Sequence, residues 1–137
     1  MYRKIMVPVD LAHVEKLDKA IDTATELGKL WKVPVCFVGV TAETPTSVAH
    51  TPTEYAEKLK AFGAKQAQTH GLDIETAAYP SHDPAVDLDK ILIAAAHETG
   101  ADLIVMASHV PGVLKHIFST QGAQVASHAD VSVFLVR

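Results

Sequence analysis

Apolar runs of strand length alternate along this chain with stretches of helical periodicity. That alternation constrains the fold more than any other feature. Ile5-Met6-Val7-Pro8-Val9 is a continuous apolar run that ends at Asp10, and Val35 to Val40 is a second. Leu103 to Ala107 is a third, and Val131 to Val136 runs to the last residue but one. Between the first two, Val14, Leu17, Ala20, Ile21, Ala24, Leu27, Gly28 and Trp31 recur at three- and four-residue intervals, the mark of an amphipathic helix. A strand apolar along its whole length is covered on both faces, which is the situation of a parallel sheet between helices.

The remaining elements follow from turn and capping chemistry. Thr41 to Pro52 is rich in Thr, Pro and Ser and reads as a long loop, either a lid or a flexible surface segment. Thr51 or Thr53 then caps a helix from about Glu54 to His70, with Tyr55, Leu59, Phe62 and Ala67 inward and Gly71 at its end. Ile74 to Tyr79 alternates weakly, as a strand near a sheet edge does. Asp83-Pro84 opens a third helix that carries Ile91, Leu92 and Ala95 to Gly100. After the Leu103 strand come a loop, a helix from about Leu114 or Ser119 to Ala126, and the last strand. The order is β-α-β-α-β-α-β-α-β.

Right-handed crossovers turn that order into an α/β fold: a doubly wound, five-stranded parallel sheet of flavodoxin or Rossmann type, strand order 3-2-1-4-5, with helices on both faces. At 137 residues it is expected as one domain, 1–137. In such a sheet the ligand crevice lies where the order reverses, between strands one and four. The residues leaving those strands are Asp10-Leu11 and Ser108-His109. Asp10 is open to two readings, a functional carboxylate or a cap for the next helix. His109 is open to two as well, a phosphate contact or a backbone hydrogen bond within its loop.

Composition removes several classes. Apolar residues make up 48% of the chain and charged residues 20%, against the pattern of a disordered segment. A net charge of −4 with no basic cluster argues against a nucleic-acid surface. No apolar run approaches the ~20 residues of a membrane span, and the basic start Met1-Tyr2-Arg3-Lys4 lacks a signal-peptide core, so a cytoplasmic protein is expected. Cys36, within an apolar strand, is expected as a buried thiol. There is no G-x-S-x-G elbow and no G-x4-G-K-[ST] loop. The histidines His13, His50, His70, His82, His97, His116 and His128 show no metal-ligand spacing and read as ordinary. Asp87 and Asp89 read as a solvated first helical turn.

Three segments in order, Ile5-Met6-Val7-Pro8-Val9-Asp10, Gly100 to His109 and His128 to Arg137, resemble the opening, hinge and ending of the universal stress protein family. The resemblance covers essentially the whole chain. It implies the doubly wound sheet, a homodimer through the last strand at Val131, Val133 and Leu135, and in one branch a bound ATP or other adenine nucleotide. That branch carries G-x2-G-x8/9-G-[ST], where this chain has Ala107, Val110 and Ser119 in the glycine positions. The A-S-H-x-P variant resembles a subgroup of small proteins within the family that still binds nucleotide.

Carried over by position, Val9, Asp10 and Val40 line the adenine and ribose side, with Pro8 and Leu11 beside them. Met106, Ala107 and Ser108 form the floor. His109 and Gly112 border the phosphates, and Ser119, Thr120 and Gln121 receive them. Asp10 beside a triphosphate is a candidate for placing Mg²⁺. The resemblance thus implies a stress-response protein that binds an adenine nucleotide and acts through dimerisation and a protein partner not identified by sequence. The alternative is a member of the family's other branch, an interaction module without nucleotide. Catalysis beyond slow ATP hydrolysis is not expected, because no general base, arginine finger or paired carboxylate stands out.

Overall fold

The structure is a computed structural model that describes residues 1–107 and 124–137. Five strands, β1 (Ile5–Pro8), β2 (Val35–Ala42), β3 (Ile74–Ser81), β4 (Leu103–Ala107) and β5 (Ser132–Val136), form one sheet in the order β3-β2-β1-β4-β5. Every neighbouring pair is parallel. The expected doubly wound sheet is the one observed.

The two faces of the sheet carry separate cores. Helices α1 (Asp18–Trp31) and α2 (Pro52–His70) cover one face, where Ile5, Val7, Val35 and Phe37 meet Ile21, Ala24, Tyr55 and Leu59. Helix α3 (Pro84–Thr99) and the helical residues 124–128 cover the other, where Met6, Cys36, Val38 and Ile104 meet Leu92, Ala95, Ala96 and Val125. Alternate residues of one strand serve opposite cores, which is why the central strands read as unbroken apolar runs. Burial pushes the Cys36 thiol up to about 11, with Lys4 opposing and Glu75 adding to the shift, so it is a packing residue, as expected.

Several boundaries depart from the sequence reading. β1 stops at Pro8 rather than Val9, although the Val9 N–H still reaches Val38 O at 2.8 Å. The helix expected from Val14 divides in two: a 3-10 stretch, Leu11–Lys16, and then α1 from Asp18. The cause is local. Asp10 accepts the Ala12 N–H in a tight turn, and His13 departs from helical dihedrals (φ −139°, ψ 42°), so the α ladder starts only after Leu17. Thr51, not Thr53, caps α2, accepting the Glu54 N–H at 3.1 Å. Asp83 stands at the N-cap of α3 but makes no side-chain cap; its own N–H donates to Ser81 Oγ.

The segment after β2 is tied down rather than loose. The Thr46 hydroxyl accepts the Val48 and Ala49 N–H groups, Ala49 is 4% exposed in the core beside α2, and Lys58 Nζ donates to Val48 O.

Candidate functional site at the carboxyl ends of β1 and β4

Hydrogen-bond direction along β1 decides where its pairing with β4 ends. Ile5 N–H reaches Pro34 O and Val9 N–H reaches Val38 O, so the odd residues of β1 face β2. Lys4 O accepts Asp102 N–H, so the even residues face β4. Pro8 therefore turns its nitrogen toward β4, and proline has no hydrogen to donate. The ladders register this difference. β1 pairs with β2 from Ile5↔Val35 to Pro8↔Val38, but with β4 only at Ile5↔Leu103 and Met6↔Ile104. β4 meanwhile stays on β5 as far as Ala107↔Val136. The β1–β4 ladder thus ends at Met6, between the two strands where the order reverses. The proline that is awkward in a central strand is what ends the pairing there.

The described members of the expected site gather at that end of the sheet. Pro8, Val9, Asp10 and Leu11 leave β1, Met106 and Ala107 end β4, and Val40 lies in the neighbouring β2. Val9 and Ala107 pack into the α1–α2 core, and Met106 and Val40 belong to the α3 side. Val9 and Met106 are 4% exposed and Ala107 8%, so they wall the site with little free side-chain surface. Ser108, His109, Gly112, Ser119, Thr120 and Gln121 lie outside the described residues, as does Val110.

Asp10 follows β1 at the N-cap of the 3-10 turn. Its Oδ1 accepts the Ala12 N–H at 3.0 Å, and its Oδ2 lies 2.9 Å from His13 Nδ1, with both side chains a little over a third exposed. Of the two readings of Asp10, the capping one is observed: its carboxylate closes the 3-10 turn. His13, taken as ordinary from sequence, is a member of this group. The signal that could have found it is the Asp-x-x-His spacing just past a strand end, which brings the two side chains together on a tight turn.

Tyr55 supports the group from behind. The ring is 4% exposed, and burial pushes its phenol up to about 12. The Asp10 charge adds to that rise, and a hydrogen bond from the Leu11 backbone opposes it. No group of three or more His, Cys, Asp and Glu suited to a metal occurs among the described residues.

Two other features lie outside this site. An open groove of about 340 Å³ at the ends of β2 and β3 is lined by Glu43, Ser81, His82, Lys90 and Ile91, with His82 Nδ1 2.9 Å from Glu43. On the edge strand β5, Phe134 is 45% exposed and Leu135 38%, whereas Val131 and Val133 pack partly into the α3-side core. Of the three residues expected at the dimer contact, Leu135 is thus the free one, and Phe134 joins it. Among the described residues no helix is long and apolar enough to cross a membrane.

Comparison with known proteins agrees with this architecture. A family model described as "Universal stress protein family" matches residues 1–137. Universal stress protein G of Shigella flexneri is 25% identical over 148 residues, covering 100% of each chain. A solved universal stress protein from Archaeoglobus fulgidus has a TM-score of 0.74 at 21% identity and covers 100% of both chains. One in complex with cAMP has a TM-score of 0.71 at 17% identity, covering 99% of this chain and 97% of that one. A third, from A. fulgidus in complex with dAMP, has a TM-score of 0.70 at 19% identity and covers 99% and 98%. With a five-stranded sheet in the order 3-2-1-4-5 and a family match along its whole length, this chain belongs to the universal stress protein family.

Proposed function

We propose that this protein binds an adenine nucleotide at the carboxyl ends of β1 and β4 and acts as a cytoplasmic homodimer through β5 and a protein partner. The observation that carries the nucleotide reading is the early end of the β1–β4 ladder at Met6↔Ile104, at the switch point where a doubly wound sheet takes its ligand, with Asp10 just beyond β1. Solved relatives of the same fold in complex with cAMP and dAMP support the choice of ligand class. In this reading the phosphate side falls on His109, Gly112, Ser119, Thr120 and Gln121, as the family resemblance implies. Mg²⁺ in this reading arrives with the phosphates of ATP, and Asp10 is the carboxylate at hand to help place it.

Mass spectrometry of small molecules released from freshly purified protein, with calorimetry against AMP, ADP and Mg·ATP, tests the proposal. Co-purified nucleotide or saturable heat supports it. An empty protein with no heat of binding overturns it and favours the interaction-module reading. That second reading draws on the exposed Phe134 and Leu135 on an edge strand, a ready surface for another chain.

A further inference from the structure

We infer that Tyr55 is a positioning residue for nucleotide binding: from helix α2, its hydroxyl holds the 3-10 turn that follows β1 in place. The inference rests on the nucleotide reading above and goes further by naming a residue that acts through that turn.

The turn has little to hold it. None of the six residues Leu11–Lys16 is buried, and Leu11 packs only partly against the α1–α2 core. Most of its hydrogen bonds are internal. Ala12 N–H reaches Asp10 Oδ1, His13 N–H reaches Asp10 O at 3.0 Å, and Leu17 N–H reaches Val14 O at 3.0 Å. The His13 ring also lies on Asp10. Such bonds shape the turn without locating it on the sheet. The bond from the Leu11 N–H to the Tyr55 phenol oxygen is different, because it crosses to another element.

Tyr55 is itself well fixed. It stands in the first turn of α2, where its N–H reaches the carbonyl of the cap residue Thr51 at 3.0 Å. A Cβ at Gly39 would collide with its ring, so β2 admits the ring only because that side chain is missing. The ring is buried and shares one core with Val9 and Ala107, which lie at the carboxyl ends of β1 and β4. A rigid phenol thus carries the position of β2 and α2 to the first residue of a turn that the core barely holds. Segments with few buried contacts open locally at small cost, and one outside bond then weighs heavily. Without it, binding must reorder the turn, and affinity falls by that amount.

The test is Tyr55→Phe, which removes one oxygen and keeps the ring that fills the core. Calorimetry of the whole chain with AMP, ADP and Mg·ATP is expected to show binding about fivefold weaker than in the wild type, the effect of one lost hydrogen bond. Native-state hydrogen exchange supplies the readout that a general loss of packing would not give. The Leu11 amide should lose protection relative to the amides of α2 and β2. A thermal melt confirms that the variant is folded, which is expected because the ring remains.

Unchanged affinity in Tyr55→Phe overturns the inference and leaves the nucleotide reading standing. So does weaker binding with the Leu11 amide protected as before, or with α2 and β2 losing protection equally. No binding of any of the three ligands by the wild type overturns both.

Discussion

The ring of Tyr55 occupies the space that a side chain at Gly39 would fill: a Cβ there would lie 2.6 Å from Tyr55 Oη and 2.8 Å from Cε1. The missing side chain in the middle of β2 lets α2 bring its aromatic residue down to the sheet, where the phenol meets the Leu11 backbone beside the candidate site. Gly39→Ala should therefore destabilise the protein by about 1–3 kcal/mol through overpacking. Tyr55→Ala in the same chain should cost less than the sum of the single changes, because the two residues compete for one volume. Urea denaturation of the three variants measures this, and strict additivity would show that Tyr55 gives way freely.

Alkaline pH should unfold the protein through its buried acids. Burial raises Cys36 from 9.0 to about 11 and Tyr55 from 10.0 to about 12, and burial with the Glu98 hydrogen bond takes Tyr79 to about 12. In each case the native state holds its proton more tightly than the unfolded chain. Their contribution is complete below the unfolded values and is lost as pH rises through the folded ones. The urea midpoint should hold to about pH 9 and fall from there toward 12. Tyr55→Phe should flatten the upper part of that fall, and Cys36→Ala the lower part.

At the end of α1, Lys32 adopts a left-handed conformation, φ 56° and ψ 48°, as the helix closes on Gly28 and Lys29 carbonyls. Gly71 and Gly100 close α2 and α3 in the same region without a side chain. Lys32→Gly is expected to stabilise the fold by about 0.5–1 kcal/mol, seen as a raised thermal midpoint. A lowered midpoint would mean that the lysine side chain contributes more than its strain costs.

If β5 is the contact between subunits, Phe134→Glu should give monomers in sedimentation velocity, since a charge would be buried at the strand's most exposed large apolar residue. A dimer that persists would place the contact elsewhere on the surface.

Much of this architecture was legible in the residues, and the parts that were not share a cause. The apolar runs at Ile5, Val35 and Leu103 marked buried strands because both faces of the sheet are covered. Gly71 marked the end of α2, and Thr51 or Thr53 its start, through chemistry that acts within a few residues. Local competition hid the rest. Val14 fits the helical period of α1, yet the Asp10 turn takes it into a 3-10 stretch. Ala49 sits in what reads as a polar loop, and only its burial beside Tyr55 shows that the segment is fixed. His13 carried no motif and becomes visible only once the turn folds it onto Asp10.

By itself the sequence determined the class of fold, the strand order and the place where that order reverses. Periodicity, handedness and capping are properties of short stretches, and a parallel sheet follows from them with few alternatives. The family followed as well, from three segments spread along the chain and a family match that covers all of it. Tertiary structure decided which atoms of that place are free. The odd–even facing of β1 aims the nitrogen of Pro8 at β4, and the ladder ends there for want of a hydrogen that proline lacks. Packing of α2 onto Gly39 sets Tyr55 behind Asp10, and the turn after β1 engages both carboxylate oxygens. These depend on distances between residues far apart in the chain or on the geometry of one turn, and such distances exist only once the chain has folded.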